Sequence, residues 1–304
     1  MEDYNKIIES LGVSFIKAKK IKILHPLTIE NFYDVENTLI LPEHGDIRFG
    51  KKKEIVKNGI LFVPGGKMSS VTYGTGKSMH LTNDDFITNR DRYFQTIETS
   101  DEARNVDRFS YITFVAKVFD SVNFFSSLDI PSFVIQDEKI MQLLRDVIAE
   151  SHSDSPGKDR VMKITTEYLV IEILRYILRN NLFVEQLATN STYFKDPRLI
   201  EIFAYIKDNI GTDLSNKILA DIANVSEDYV GQYFKMLTGI NPQDYIEYQR
   251  MESAVTLLRT SKKSIRDIGK LVGYKDTAYF CRRFKMMFGI PAGKMRRRES
   301  LSDN

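Results

Sequence analysis

Arg282, Arg283 and Lys285 lie on a segment that also carries Phe280, Phe284, Met287 and Phe288. Four-residue spacing puts these apolar residues on one face of a helix and turns Arg282 almost directly away from them, with Ala278, Cys281 and Lys285 beside it. A long planar cation opposite an apolar stripe suits bidentate hydrogen bonding to guanine or to phosphate. Arg283 sits nearer the flank and is the better phosphate candidate. About fifty positions earlier the same pattern occurs in a less basic version. Val230, Phe234 and Leu237 mark an inner face, and Asp228, Gln232 and Lys235 fall opposite it. Gly231 lies on the flank, where a missing side chain permits close approach.

Each of these segments comes after a shorter apolar-periodic helix and a tight turn. In the first copy Ile218, Leu219 and Ile222 form the stripe, Asn224 can adopt the left-handed conformation that stops the helix, and Ser226 is a good N-cap. In the second, Ser264 caps a helix carrying Ile265, Ile268, Leu271 and Val272. Gly273 supplies the turn, Tyr274 packs back, and Asp276 or Thr277 caps the next helix. Two helices joined this way are the grammar of a helix-turn-helix, which lays its second helix in the DNA major groove. Between the copies Pro242 opens a helix with a long apolar stripe, from Tyr245 and Ile246 to Leu257 and Leu258. A rigid helix there would fix the spacing of the two units. Arg250, in its middle, is placed either to brace them or to reach a phosphate.

Residues from about 198 to 298 resemble the DNA-binding domain of the AraC/XylS family of bacterial transcription regulators. The match runs through Arg250, Ala254, Leu257 and Leu258, then Ser264, Ile265, Ile268 and Gly273, and closes on Phe280, Phe284, Lys285, Gly289 and Pro291. Departures are small: Gly269 stands where the family usually has Ala, Tyr274 where it has Phe, and Asn224 where Gly is common. The resemblance implies seven helices, two units in successive major-groove segments, and transcriptional control. It places DNA contacts on Asp228, Gly231 and Gln232 in the first unit, and on Thr277, Ala278, Cys281 and Arg282 in the second. The first set is poor in cations.

The net charge of +2 hides a division. Residues 195–304 hold 19 Lys and Arg against 14 Asp and Glu, whereas residues 1–194 hold 24 against 27. Positive charge therefore gathers on the DNA-binding part, including Lys294, Arg296, Arg297 and Arg298 at its end. Cys281 is the one cysteine, so an intramolecular disulfide is excluded. No signal peptide or long apolar span is evident, and a cytoplasmic, membrane-independent protein is expected.

The first two thirds read differently. From about 20 to 135, short segments with alternating or β-branched residues are punctuated by Gly, Asn and Asp, which predicts a β-sandwich or barrel. The stretch from Lys57 to Gly74 resembles the strand and turn of cupin-like sensor domains that precede such DNA-binding domains. His25, His44 and His80 are not spaced as metal ligands, and no nucleophile triad or phosphate loop is present. Neither a metal nor a cofactor nor catalysis is expected. Phe62, Tyr73, Phe109, Tyr111 and Phe114 are the candidates for lining a small-molecule site; the plainer alternative is that they fill the barrel. Residues 136–185 predict helices. The one near 160–182 is so apolar that Leu174 and Ile177 are assigned to a dimer interface, as the family resemblance suggests; the alternative is that the whole helix belongs to the chain's own core.

The reading is therefore an α+β chain of two domains: a cupin-like sensor barrel (1–135) with a helical dimerisation segment (136–185), a linker (186–197), and an all-α tandem helix-turn-helix domain (198–298). The expected function is sequence-specific regulation of transcription. Its partners are double-stranded DNA, a second copy of the chain, RNA polymerase and a small-molecule effector of unidentified class. The alternatives are a cupin-type enzyme fused to a DNA-binding domain, and a regulator controlled by a protein partner.

Overall fold

The computed structural model describes residues 5, 8–9, 11–66, 68–97, 106–118, 122–128, 130–183, 186–187, 196–238 and 241–300. The chain divides into two compact units. One is formed by Gly12–Lys117 with Asn123–Val184, and the other is centred on Glu185–Asn304.

The first unit opens with β1 (Leu11–Ile23), β2 (Leu27–Tyr33), β3 (Asn37–His44), β4 (Ile47–Phe49), β5 (Glu54–Ile55), β6 (Ile60–Val63), β7 (Met68–Tyr73) and β8 (Met79–Thr82). Helix α1 (Asn83–Tyr93) and strand β9 (Phe94–Ile97) come next, then β10 (Arg108–Val118), β11 (Val122–Asn123), α2 (Phe124–Ser127) and β12 (Phe133–Ile135). One sheet is ordered β12-β6-β3-β10-β1-β9, with β11 beside β10; the other is ordered β5-β4-β7-β2-β8. The sheets face each other: Tyr73 of β7 meets Phe94 and Phe109 of the opposite sheet, with ring centroids 5.1 and 4.9 Å apart. Such double-sheet packing leaves few open edges.

Three local expectations are corrected. Strand β1 begins at Leu11, well before residue 20; half-buried Lys17 and Lys19 interrupt the alternation of Val13, Ile21 and Ile23 that would mark it in the sequence. Residues 83–93 form a helix, capped by Thr82 accepting from the Asp85 amide. Phe124 and Phe125, read as strand, start the short helix α2.

The five aromatics proposed to line a ligand site are divided between two packed clusters. Phe62 lies 6.3 Å from Phe114 and 4.9 Å from Phe125, while Tyr73 and Phe109 contact each other and Phe94. Phe62 and Phe114 are fully buried, and Tyr111 is half-buried against Phe109. They spend their surface on one another, so the core-filling alternative describes them.

Helices α3 (Glu138–Ser151) and α4 (Lys158–Arg179) belong to the same unit. Asp137 caps α3 by accepting from the Ile140 amide and pairs with Arg179 of α4 at 3.1 Å. Glu172 of α4, with its side chain 2% exposed, is held by Arg175 at 2.6 Å and by Lys139 of α3 at 3.1 Å. Leu174 is 3% exposed and Ile177 is fully buried. Both are core residues of their own chain, which overturns their assignment to a dimer interface. The solvent-facing apolar residues of α4 are Val161, Ile164 and Tyr168. The expected linker lies mostly at 188–195, outside the described residues.

The second unit contains seven described helices: α5 (Pro197–Asp208), α6 (Asn216–Ala223), α7 (Glu227–Thr238), α8 (Pro242–Thr260), α9 (Ile265–Leu271), α10 (Thr277–Phe288) and α11 (Ala292–Ser300). Their ends are set by local chemistry. Asp196, Asn241, Ser264 and Asp276 each accept a backbone N–H at a helix start. Asn224 at φ +51° stops α6, and Gly289 at φ +73° stops α10.

Candidate nucleic-acid interface

In the first helix-turn-helix, α6 and α7 bury Leu219, Ala220, Ala223, Val230, Tyr233 and Phe234 against α5 and α8. Ile218 and Ile222, expected on the buried stripe, are only half-buried; the alanines permit a closer approach and take the central positions. Asp228, Gln232 and Lys235 are exposed on the opposite face of α7, and Gly231 is partly exposed. The side chain of Leu237 lies outside the described residues. Tyr233, absent from the sequence-based core, is 2% exposed, with the Arg198 guanidinium 4.8 Å from its ring centroid. Burial pushes its hydroxyl up to about 12.

In the second unit Phe280, Phe284 and Phe288 are fully buried. Their rings form a ladder with centroids 5.8 and 4.4 Å apart. Gly269 faces this ladder, and a Cβ there would stand 3.2 Å from the Phe280 ring, a contact the ring would have to yield to by a few tenths of an ångström. Leu271, read as part of the apolar stripe, is 48% exposed. On the outward face of α10, Ala278, Arg282 and Lys285 are exposed, while Thr277 and Cys281 are partly so.

Two cations have another task than phosphate contact. Arg250, on α8, donates from Nε to the Ile210 carbonyl at 3.1 Å and from Nη2 to the Thr212 carbonyl at 2.7 Å. Its guanidinium lies 5.9 Å from the Tyr274 ring centroid and fills the space where a Cβ on Gly273 would sit, 2.7 Å away. It joins the loop before the first unit to the turn of the second, which is the bracing alternative. Arg283, the preferred phosphate candidate, instead pairs with Glu247 of α8 through both Nε and Nη2. Hydrogen bonding to that carboxylate raises its pKa above the ordinary value. A guanidinium engaged by a carboxylate has its fork already occupied, so the phosphate assignment is withdrawn. Both partners are distant in sequence, and no local signal marks them.

Arg296 ties α11 to the segment ahead of α9 by donating to the Lys263 carbonyl at 2.5 Å. The side chains of Arg297 and Arg298 are outside the described residues. Sequence reasoning also missed Tyr229 and Tyr279, which are 44% and 48% exposed and occupy the same place in α7 and α10, one residue before the first buried apolar position. Aligning the two copies would have revealed them. Elsewhere His44 stands beside Asp107 at 3.4 Å and His80 beside Glu30 at 2.9 Å, in separate places.

Comparison with known proteins agrees with this geometry. A family model described as a helix-turn-helix domain matches residues 219–298. The transcriptional activator RhaS of Citrobacter koseri is 27% identical over 158 residues, covering 52% of this chain and 55% of its own. The chain thus spans about half the length of the curated relatives it matches. A transcriptional regulator of Chromobacterium violaceum, described by its AraC-type DNA-binding domain, is 28% identical over 34% of this chain and 93% of its own, at a TM-score of 0.33. Over the whole length, the fold is similar to that of ToxT from Vibrio cholerae, with a TM-score of 0.51, 12% identity, and coverage of 95% and 98% of the two chains.

Proposed function

We propose that this chain is a sequence-specific DNA-binding regulator of transcription of the AraC type, a reading supported by the helix-turn-helix model that matches residues 219–298 and by the likeness to RhaS. The observation that carries the reading is the repeated arrangement of α7 and α10. Each buries an apolar stripe beneath a shorter helix and turns a polar face outward. Outward residues of such a helix meet base edges in the major groove, and surrounding cations meet phosphate. Among the outward residues Arg282 carries base readout, with Gln232 as its counterpart in the first unit. RNA polymerase is the partner through which bound protein would act. The β-rich unit receives the input, and catalysis has no part in the function. No described helix is long and apolar enough to cross a membrane, and the cytoplasm is the compartment this role requires.

We also infer a homodimer, now through a different face of α4. Val161, Ile164 and Tyr168, then half-buried Ile171, repeat at three- and four-residue spacing, which is the seam of a helix pair. Genome-wide mapping of DNA bound by the full chain tests the main reading. Enrichment of a shared sequence in a limited set of promoters is expected, and binding spread evenly over the genome would overturn it.

A further inference from the structure

The two helix-turn-helix units share a scaffold but not a charge. Their N-caps Ser215 and Ser264 are 49 residues apart, as are the left-handed turn residues Asn224 and Gly273. The recognition helices are offset by 50, which superposes buried Val230 on Phe280 and Phe234 on Phe284. In this register Asp213 corresponds to Lys262, Asp221 to Lys270, Glu227 to Thr277, Asp228 to Ala278 and Gln232 to Arg282. At each position the second copy is more positive by one charge or two. In that register residues 211–239 hold two Lys and Arg against four Asp and Glu, whereas residues 260–289 hold eight against two. The local net charges are −2 and +6. Lys262, Lys263, Arg266, Arg282 and Lys285 are all exposed in the second unit, and so are Asp213, Asp221, Glu227 and Asp228 in the first.

Local charge is what each DNA segment feels. Successive major-groove segments are about 34 Å apart, several times the Debye length of about 8 Å at physiological salt. The surplus of one unit therefore does little for the other. Affinity from counterion release tracks the number of phosphates neutralised, with a slope of about −0.9 per contact in log K against log salt.

Resting on the DNA-binding reading above, we propose that the second unit is the electrostatic anchor on DNA, and that the first unit contributes no net counterion release. The anchor holds the chain on any duplex. The first unit adds affinity only where its outward residues meet a matching sequence, because phosphate repulsion by Glu227 and Asp228 must be offset by base contacts. This division makes the first unit the more selective of the two.

The test uses the full chain and a labelled 30-bp duplex of mixed sequence, with binding measured by fluorescence anisotropy over a series of KCl concentrations. Lys262→Gln with Lys263→Gln is expected to flatten the slope by about 1.8, the value for two lost contacts. Lys207→Gln with Lys217→Gln, both exposed in the first half of the domain, is expected to leave it nearly unchanged. Glu227→Gln with Asp228→Asn is expected to tighten binding to this duplex at low salt. Equal flattening by the two lysine pairs, or no tightening by the acidic pair, would overturn the division while leaving DNA binding in place. A wild-type chain with no salt-dependent binding to the duplex would overturn the DNA-binding reading itself, and this proposal with it. Circular dichroism on every variant separates a lost contact from a lost fold.

Discussion

Gly273→Ala offers a quantitative check on the brace between the two units. Gly273 has φ +90°, and its missing Cβ leaves the space that the Arg250 guanidinium fills at 2.7 Å. An alanine there meets two separate costs. The left-handed conformation costs an L-residue about 1–2 kcal/mol. Displacing Arg250 breaks its bonds to the Ile210 and Thr212 carbonyls. Hydrogen bonds to a charged group contribute roughly 1.5–3 kcal/mol each, and Arg250 is half-exposed, so about 1 kcal/mol apiece is the better figure here. The sum is about 3–4 kcal/mol. Arg250→Ala alone should cost about 2 kcal/mol on the same reasoning. Once Arg250 is gone, only the backbone strain remains, so Gly273→Ala in that background should cost about 1–2 kcal/mol. The assay is a double-mutant cycle by urea denaturation of the helical domain (residues 186–304), monitored by far-ultraviolet circular dichroism. The expected coupling is about 2 kcal/mol, within the range for residues in contact. If the two substitutions add to within about 0.5 kcal/mol, Arg250 does not depend on the space above Gly273, and the brace has been misread.

Phe284→Ala should cost about 3–5 kcal/mol, because its fully buried ring packs against both Phe280 and Phe288; an unchanged melting temperature would show the face assignment to be wrong. Arg282→Ala should lose about 1–3 kcal/mol on its preferred sequence and reduce discrimination at one base pair, and a uniform loss on all sequences in a binding competition would make it a phosphate contact. Ile164→Glu should give a folded monomer by light scattering, whereas Leu174→Glu should unfold the β-rich unit; dimers that survive Ile164→Glu would place the interface elsewhere. The α3–α4 pair should be acid-sensitive through Glu172. Burial pushes this carboxyl up, but hydrogen bonds from Arg175 and Lys139 outweigh it and leave the pKa below the ordinary 4.5. A lowered folded-state pKa means that its stabilisation is present above the ordinary value and is lost as pH falls below it. Glu172→Gln should therefore flatten the decline in stability below pH 4.5, as measured by thermal melts in acid.

What the sequence disclosed depended on how far apart the deciding residues stand. Caps, turn residues and amphipathic stripes are set within one turn of helix. Asn224, Ser264, Gly273, Asp276 and the Phe280–Phe284–Phe288 ladder therefore took their places as expected. The roles of the cations were not readable from such spacing. Arg283 and Arg282 are neighbours on one helix, and only the presence of Glu247, 36 residues away, turns one inward to an ion pair while the other stays exposed. Helix α4 shows the same limit for apolar surface. Its sequence shows more hydrophobic residues than one face needs, but not which of its stripes is buried within its unit and which is left over. Leu174 and Ile177 went to the chain's own core, where burial of a Leu or Ile is worth about 1.5–3 kcal/mol. The face that remains begins with Val161 and contains Tyr168, whose ring also receives Lys139 at 4.8 Å. An interface assembled from what folding leaves over is smaller and more polar than a count of apolar residues suggests. The association inferred for α4 should therefore weaken on dilution well before the unit itself unfolds.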